Sequence, residues 1–165
     1  MNVFLVALAL STFLCALTTG IVLTFAIIIM PGICKLNDHD FLQAFKAIDR
    51  IIQNNNPLFM LVWIGSCVAL ITAAILGTGH LEGWNRALLM LATILYFFGV
   101  QLPTFVVNIP LNNHVQKLEL GTLTSNELRE ARTQFEVRWT RWNGIRTTLA
   151  LVASLSLIIL AIRLC

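Results

Sequence analysis

Gln101, Thr104, Asn108 and Asn112 follow one another at spacings of three and four, which on a helix makes a single polar stripe. Farther along, Trp139, Trp142, Asn143 and Arg146 share a face in the same way. Amide and guanidinium groups are hydrogen-bond donors, and indole rings add flat apolar walls. A polar cluster walled by apolar and aromatic side chains is the make-up of a small-molecule site. His114 directly follows the motif "NIPLNN" and is the one histidine placed to act as a base there. The same residues also fit plainer roles. Arg146 can snorkel to water, the two tryptophans can anchor an interface, and the asparagines can bond helix to helix without a ligand.

Whatever positions these residues must lie in lipid. Of the 165 residues, 58% are hydrophobic and 12% charged, well away from the balance of a soluble domain. Four long apolar runs predict membrane-spanning helices at about 3–31, 57–78, 86–109 and 139–163. The expected fold is therefore all-α, a single membrane domain built as a four-transmembrane-helix bundle. The first run is about twice the length of a signal-peptide core and lacks a basic leader, so it reads as a span.

The segment "NDHDFLQAFKAIDRIIQNNNP" predicts an amphipathic helix at about 38–54 on the cytoplasmic membrane surface. Asn37 is its cap, and Phe41, Phe45, Ile48 and Ile52 form its apolar stripe. Thr124 and Glu127 form a capping box for an extramembrane helix at about 125–138 that runs into the last span. Ala16 and Gly20, with Gly65, Ala69 and Ala73, predict close contact between the first two spans and leave room for a homo-oligomer.

Lys and Arg set the expected orientation. Nine lie in or beside the two longer connections and two, Arg86 and Arg163, on the other side, which predicts cytoplasmic connections and both termini outside, in a plasma or bacterial inner membrane. The basic residues are interleaved with acids, so nucleic acid is not an expected partner. Membrane lipid and a hydrophobic small molecule are. No histidine pair has metal-ligand spacing and the cysteines have no paired spacing, so no metal is expected, and the residues single out no other cofactor.

Depth arithmetic places the motif. From Arg86, about 1.5 Å per residue carries Asn108 roughly 33 Å along the helix, near the far edge of a hydrocarbon core about 30 Å thick. Pro103 and Pro110 leave the carbonyls of Gly99 and Val106 without their helical donors, so this stretch is expected to bend or loosen. The end of the first span, "MPG", the amphipathic helix and both polar stripes reach that depth together.

"MPGICKLNDHDFLQAFKAIDRIIQNNNPLF", "VNIPLNNHVQKL" and "RWTRWNGIRT", in that order, resemble the anthrone oxygenase-like family of small four-span membrane proteins. The resemblance spans roughly residues 20–150. It implies oxidation of a hydrophobic aromatic or quinone-like molecule, with dioxygen as co-substrate, and it singles out Met30, Pro31, Phe41, Arg50, Asn108, Pro110, Asn112, Trp139, Trp142, Asn143 and Arg146. Where it leads one to expect asparagine before Arg50, this chain has Asp49.

An anthrone-like substrate carries an acidic methylene, whose enolate reacts with oxygen. On that implication Asn108, Asn143 and Arg146 donate to the enolate oxygen, His114 or Asp49 takes the proton, and Trp139 and Trp142 stack on the rings. Asn112, Arg50 and Gln101 complete the substrate-binding set. The alternatives are a non-catalytic binder or carrier of a lipid-like ligand, and a structural subunit of a membrane complex.

Overall fold

The computed structural model describes residues 3–164. Five helices account for nearly all of them: α1 (Val3–Ile33), α2 (Asp38–Gln53), α3 (Pro57–His80), α4 (Gly83–Lys117) and α5 (Ser125–Leu164). All but α2 are long and apolar enough to cross a membrane. No strand occurs among the described residues, and the chain is an all-α membrane protein.

Local chemistry sets the helix boundaries. The Asn37 side chain accepts the Asp40 backbone N–H at 2.9 Å and starts α2. Asn55 then adopts a left-handed conformation, φ 55°, that ends this helix, and Asn56 caps α3 by accepting from the N–H groups of Leu58 and Phe59. Before α5 the Thr124 N–H donates to Glu127 Oε2 at 2.7 Å and the Glu127 N–H returns to Thr124 Oγ1, the reciprocal capping box.

Three of the four prolines fall inside long helices, and each follows a π-helical turn that ends two residues ahead of it. Phe25–Ile29 precedes Pro31, Leu95–Gln101 precedes Pro103, and Thr104–Asn108 precedes Pro110. A proline ring cannot donate and collides with the preceding turn, and widening that turn relieves the collision without breaking the helix. So α4 continues through both prolines to Lys117, past the predicted end near 109.

α1 packs along α3 and α5, and α4 packs on α5. The contact between α1 and α3 does not use Ala16 and Gly20, which are exposed, and Gly20 has no neighbour near its missing Cβ. Gly65 and Ala73 do face inward. A Cβ on Gly65 would stand 3.2 Å from the Leu14 side chain, and Ala73 is fully buried. On α1 the inward face instead carries Cys15 together with Ser11, Thr18 and Thr19, and these three hydroxyls donate to carbonyls of their own helix and so cost little to bury. Three hydroxyl pairs bond across the bundle: Thr18 donates to Ser66 at 3.4 Å, Thr19 pairs with Ser154 at 2.8 Å and Ser66 with Tyr96 at 2.6 Å.

Gly99 lets α4 approach α5: a Cβ there would sit 2.9 Å from Leu149 Cβ. Gly99→Ala is therefore expected to destabilise the bundle by about 1–3 kcal/mol. Thermal unfolding in detergent checks this, with Gly121→Ala, at a glycine with open space around it, as the control.

The apolar face of α2 is covered by protein. Phe41 and Phe45 are buried, and the Phe45 ring meets Phe135 at 4.4 Å and Trp139 at 5.6 Å between centroids. Arg132 holds the turn before it, donating to the carbonyls of Cys34 and Leu36 and to Asp38 while its guanidinium lies over Phe41. α2 thus closes one end of the bundle.

Candidate functional site

A cavity of about 420 Å³ lies where α2 meets the four long helices. That size suits a small organic ligand. One wall is aromatic and belongs to α3, where Phe59 and Trp63 stack at 5.5 Å. Facing it, Phe25 of α1 and Trp139 of α5 are tilted against each other at 5.6 Å. Thr104, Asn108 and Asn112 enter from α4, Asp49 from α2, and Arg146 from α5.

Arg146 is 6% exposed although it carries a full charge. Its Nε donates to Asn143 Oδ1 at 2.9 Å and its Nη1 to Thr104 Oγ1 at 3.0 Å. The ion pairs among the described residues, His39–Asp40, Arg132–Asp38 and Arg132–Glu136, do not include it. A guanidinium has five N–H donors, so with two engaged three have no bond among the described residues, and Arg146 is part of the cavity lining. The guanidinium carbon stands 5.5 Å from the Trp139 ring centre.

Asn143 does not line the cavity. It holds the guanidinium from behind, and its own Nδ2 donates to the Val22 carbonyl at 3.2 Å.

Asp49 is 2% exposed and gathers three amide donors. Asn112 Nδ2 donates to its Oδ1 at 2.7 Å, while Gln53 Nε2 and Gln116 Nε2 donate to its Oδ2 at 2.7 and 2.9 Å. Burial pushes the Asp49 carboxyl above the ordinary aspartate value, and the hydrogen bonds from Gln116, Asn112 and Gln53 draw it part of the way back. Oδ2 has both lone pairs engaged, whereas Oδ1 keeps one. The Asn112 amide has a fixed orientation, because Trp139 Nε1 donates to its Oδ1 at 2.7 Å and its nitrogen must then face the carboxylate.

Asn108 differs from its neighbours. It is 1% exposed, and neither its Nδ2 nor its Oδ1 has a hydrogen-bond partner among the described residues. Leaving such a group unpaired costs about 1–3 kcal/mol. Its amide lies on the cavity wall, one helical turn from Thr104, the hydroxyl that holds Arg146. Gln101, also buried with both amide atoms unpartnered, sits one turn farther along α4 and does not line the cavity.

Of the residues singled out in the sequence, Asp49, Asn108, Asn112, Trp139 and Arg146 therefore line one cavity, and Asn143 stands behind it. Trp142 is half-buried and lies off the wall. Arg50 and His114 are exposed and outside it. A helical residue turns about 100° from the last, so Arg50 points away when Asp49 points in, and His114 lies about 200° round from Asn112. Sequence reasoning missed Gln53 and Gln116, the two further donors to Asp49, and the Phe59–Trp63 wall. The spacings of four, Asp49 to Gln53 and Asn112 to Gln116, were the available signal.

A family model described as anthrone oxygenase matches residues 50–156. That stretch contains Asn108, Asn112, Trp139, Asn143 and Arg146, and it begins one residue after Asp49. No curated protein and no solved structure matches the chain.

Proposed function

The chain belongs to the anthrone oxygenase family, and from that premise we propose that the cavity binds a flat aromatic ketone bearing an acidic methylene and oxidises that methylene with dioxygen. The observation that carries the reading is the unpartnered amide of Asn108 beside an unpaired guanidinium on the wall of an aromatic slot. An oxyanion can accept from both, from Asn108 Nδ2 and from the guanidinium. Asn108 Nδ2 and the free donors of Arg146 would bind the ketone oxygen and strengthen as it gains charge, in a site where little water competes.

Asp49 is the proposed base. Its free Oδ1 lone pair accepts a methylene proton, leaving a carboxylic acid and an enolate whose charge Arg146 neutralises. The enolate passes one electron to dioxygen, and the resulting radical pair combines to a carbon-bound peroxide anion, which takes the proton back from Asp49 to give the hydroperoxide and restore the carboxylate. Loss of water then gives the second carbonyl, with one oxygen atom in the product and one in water. The methylene loses four electrons and dioxygen gains them. Trp139, with its N–H engaged by Asn112, offers only its faces, so it holds rings rather than donating to them.

The surplus of Lys and Arg at the α2 end supports placing that end, and the site, on the cytoplasmic side.

Purified protein in lipid nanodiscs, supplied with anthrone under air, tests the reading. One dioxygen should disappear per anthrone consumed, at a rate well above the uncatalysed background, and anthraquinone should accumulate. Turnover no faster than the background with ligand still bound would leave the non-catalytic carrier as the function.

A further inference from the structure

Resting on the ligand class proposed above, we infer that this site loads sideways from the hydrocarbon of the bilayer, through a slit between α3 and α4. Ile64 forms one lip of the slit and Phe105 the other. Both line the cavity, yet they are 51% and 60% exposed. A side chain that is wall on one side and outer surface on the other marks an opening. The opposite walls are shut: Val22, Phe45 and Trp139 are all buried.

The helices explain why the gap is there. α3 follows α1, and its hydroxyl bond to α4, Ser66 to Tyr96, lies above the cavity. Below that bond α4 keeps to α5, its π-helical turn Thr104–Asn108 holding Thr104 against Arg146. Phe59, Met60 and Ile64 line the cavity from α3, and Phe105 and Ile109 line it from α4.

Depth places the lips at the edge of the hydrocarbon core. By the rise that puts Asn108 near that edge, Phe105 lies just inside it, about one turn nearer the bilayer centre, and Ile64, seven residues into α3, lies roughly 10 Å inside its helix. Water-exposed chemistry appears only at the end of the slit, where Gln53 Nε2 donates to Asn113 Oδ1 at 3.2 Å and joins α2 to α4.

The lips are apolar along their length, so the ligand must be one that dissolves in the bilayer and is thin enough to pass between two helices. Its polar oxygen leads, toward Asn108 and Arg146, and its trailing edge stays in lipid. A charged substituent on that edge is excluded.

The test uses 9,10-anthraquinone, which cannot undergo the oxidation, so binding is read apart from turnover. The full chain is placed in nanodiscs and loading is followed by quenching of tryptophan fluorescence, Trp63 and Trp139 being on the cavity wall. In Phe105→Cys labelled with a bulky lipid-soluble maleimide, association and dissociation should both slow at least tenfold, with the equilibrium constant held within about threefold. The same label at Phe98→Cys, exposed on the same helix but off the cavity, should change neither rate.

For the unlabelled protein the loading rate should follow the mole fraction of quinone in lipid, not its concentration in water. Unchanged rates in the labelled Phe105 variant, or loading that follows the aqueous concentration and is slowed by substitution at Gln53 or Asn113, overturns the inference. Quinone binding gated in this way in a protein that does not turn anthrone over would sink the oxygenase reading alone.

Discussion

Arg146→Met is expected to lower anthrone turnover by about 10²–10³-fold while leaving the thermal unfolding midpoint unchanged or raised. The two effects have opposite signs because of where the charge sits. Arg146 is buried with no carboxylate beside it, and its two hydrogen bonds go to neutral partners, Asn143 and Thr104. Removing a charge from water costs several kcal/mol, and neutral partners restore only part of that. Methionine has a similar length, no charge and a flexible shape that fills the space. A residue kept for folding would lose stability when replaced, whereas one kept for an anionic ligand loses only the ligand's stabilisation. Turnover and calorimetry on the same preparation decide between them. A fall in both together would make Arg146 a structural residue.

The second large effect is at Asp49. Asp49→Asn is expected to reduce kcat by about 10²–10⁴-fold, the range general-base catalysis supplies, with KM for anthrone changed little. Some loss of stability comes with it. Asn112 is locked with its nitrogen toward position 49 by the bond from Trp139, so an asparagine there meets three amide donors with a single acceptor oxygen. One donor is left unpaired at a cost of about 1–3 kcal/mol. Measuring kcat in folded protein, and quinone affinity alongside it, keeps the two consequences apart. Should the variant keep wild-type kcat, Asp49 is not the base.

The raised pKa of Asp49 gives a pH signature with a definite sign. As a base it works only ionised, so kcat/KM should fall as pH drops through its folded pKa, which lies above the ordinary value of about 4. Stability runs the other way. A carboxyl bound more tightly to its proton in the folded state contributes its full stabilisation below the unfolded pKa and loses it as pH rises through the folded one. Between those two values, acidification should therefore stabilise the protein while silencing it. A pH–rate profile and a thermal series over the same range check this, with Asp49→Asn expected to flatten both.

The membrane class, the number of spans and the existence of α2 follow from local properties alone. Four apolar runs longer than a bilayer core, the Asn37 cap and the Thr124–Glu127 box are each written in a few consecutive residues. So are the polar stripes, because helical spacing is fixed. The prolines announced a disturbed α4 but not its form, since whether a helix kinks, breaks or widens depends on what packs beside it. Here Leu149 against Gly99 and Thr104 against Arg146 hold α4 to α5, and π-helical turns take up the difference.

Partnership was not legible. Asn108, Asn112 and Asn113 have the same side chain within six residues, yet one is buried without a partner, one is clamped between Trp139 and Asp49, and one bonds Gln53 at the surface. Arg50 and Arg146 carry the same charge, and only the second is sealed from water. Sequence determined which side chains share a face of one helix, because that needs only the helical repeat. Tertiary structure decided which faces meet, because α2, α4 and α5 are separated by tens of residues and their relative rotation is set by the summed contacts of Phe45, Phe135, Trp139 and Gly99, none of which specifies it alone.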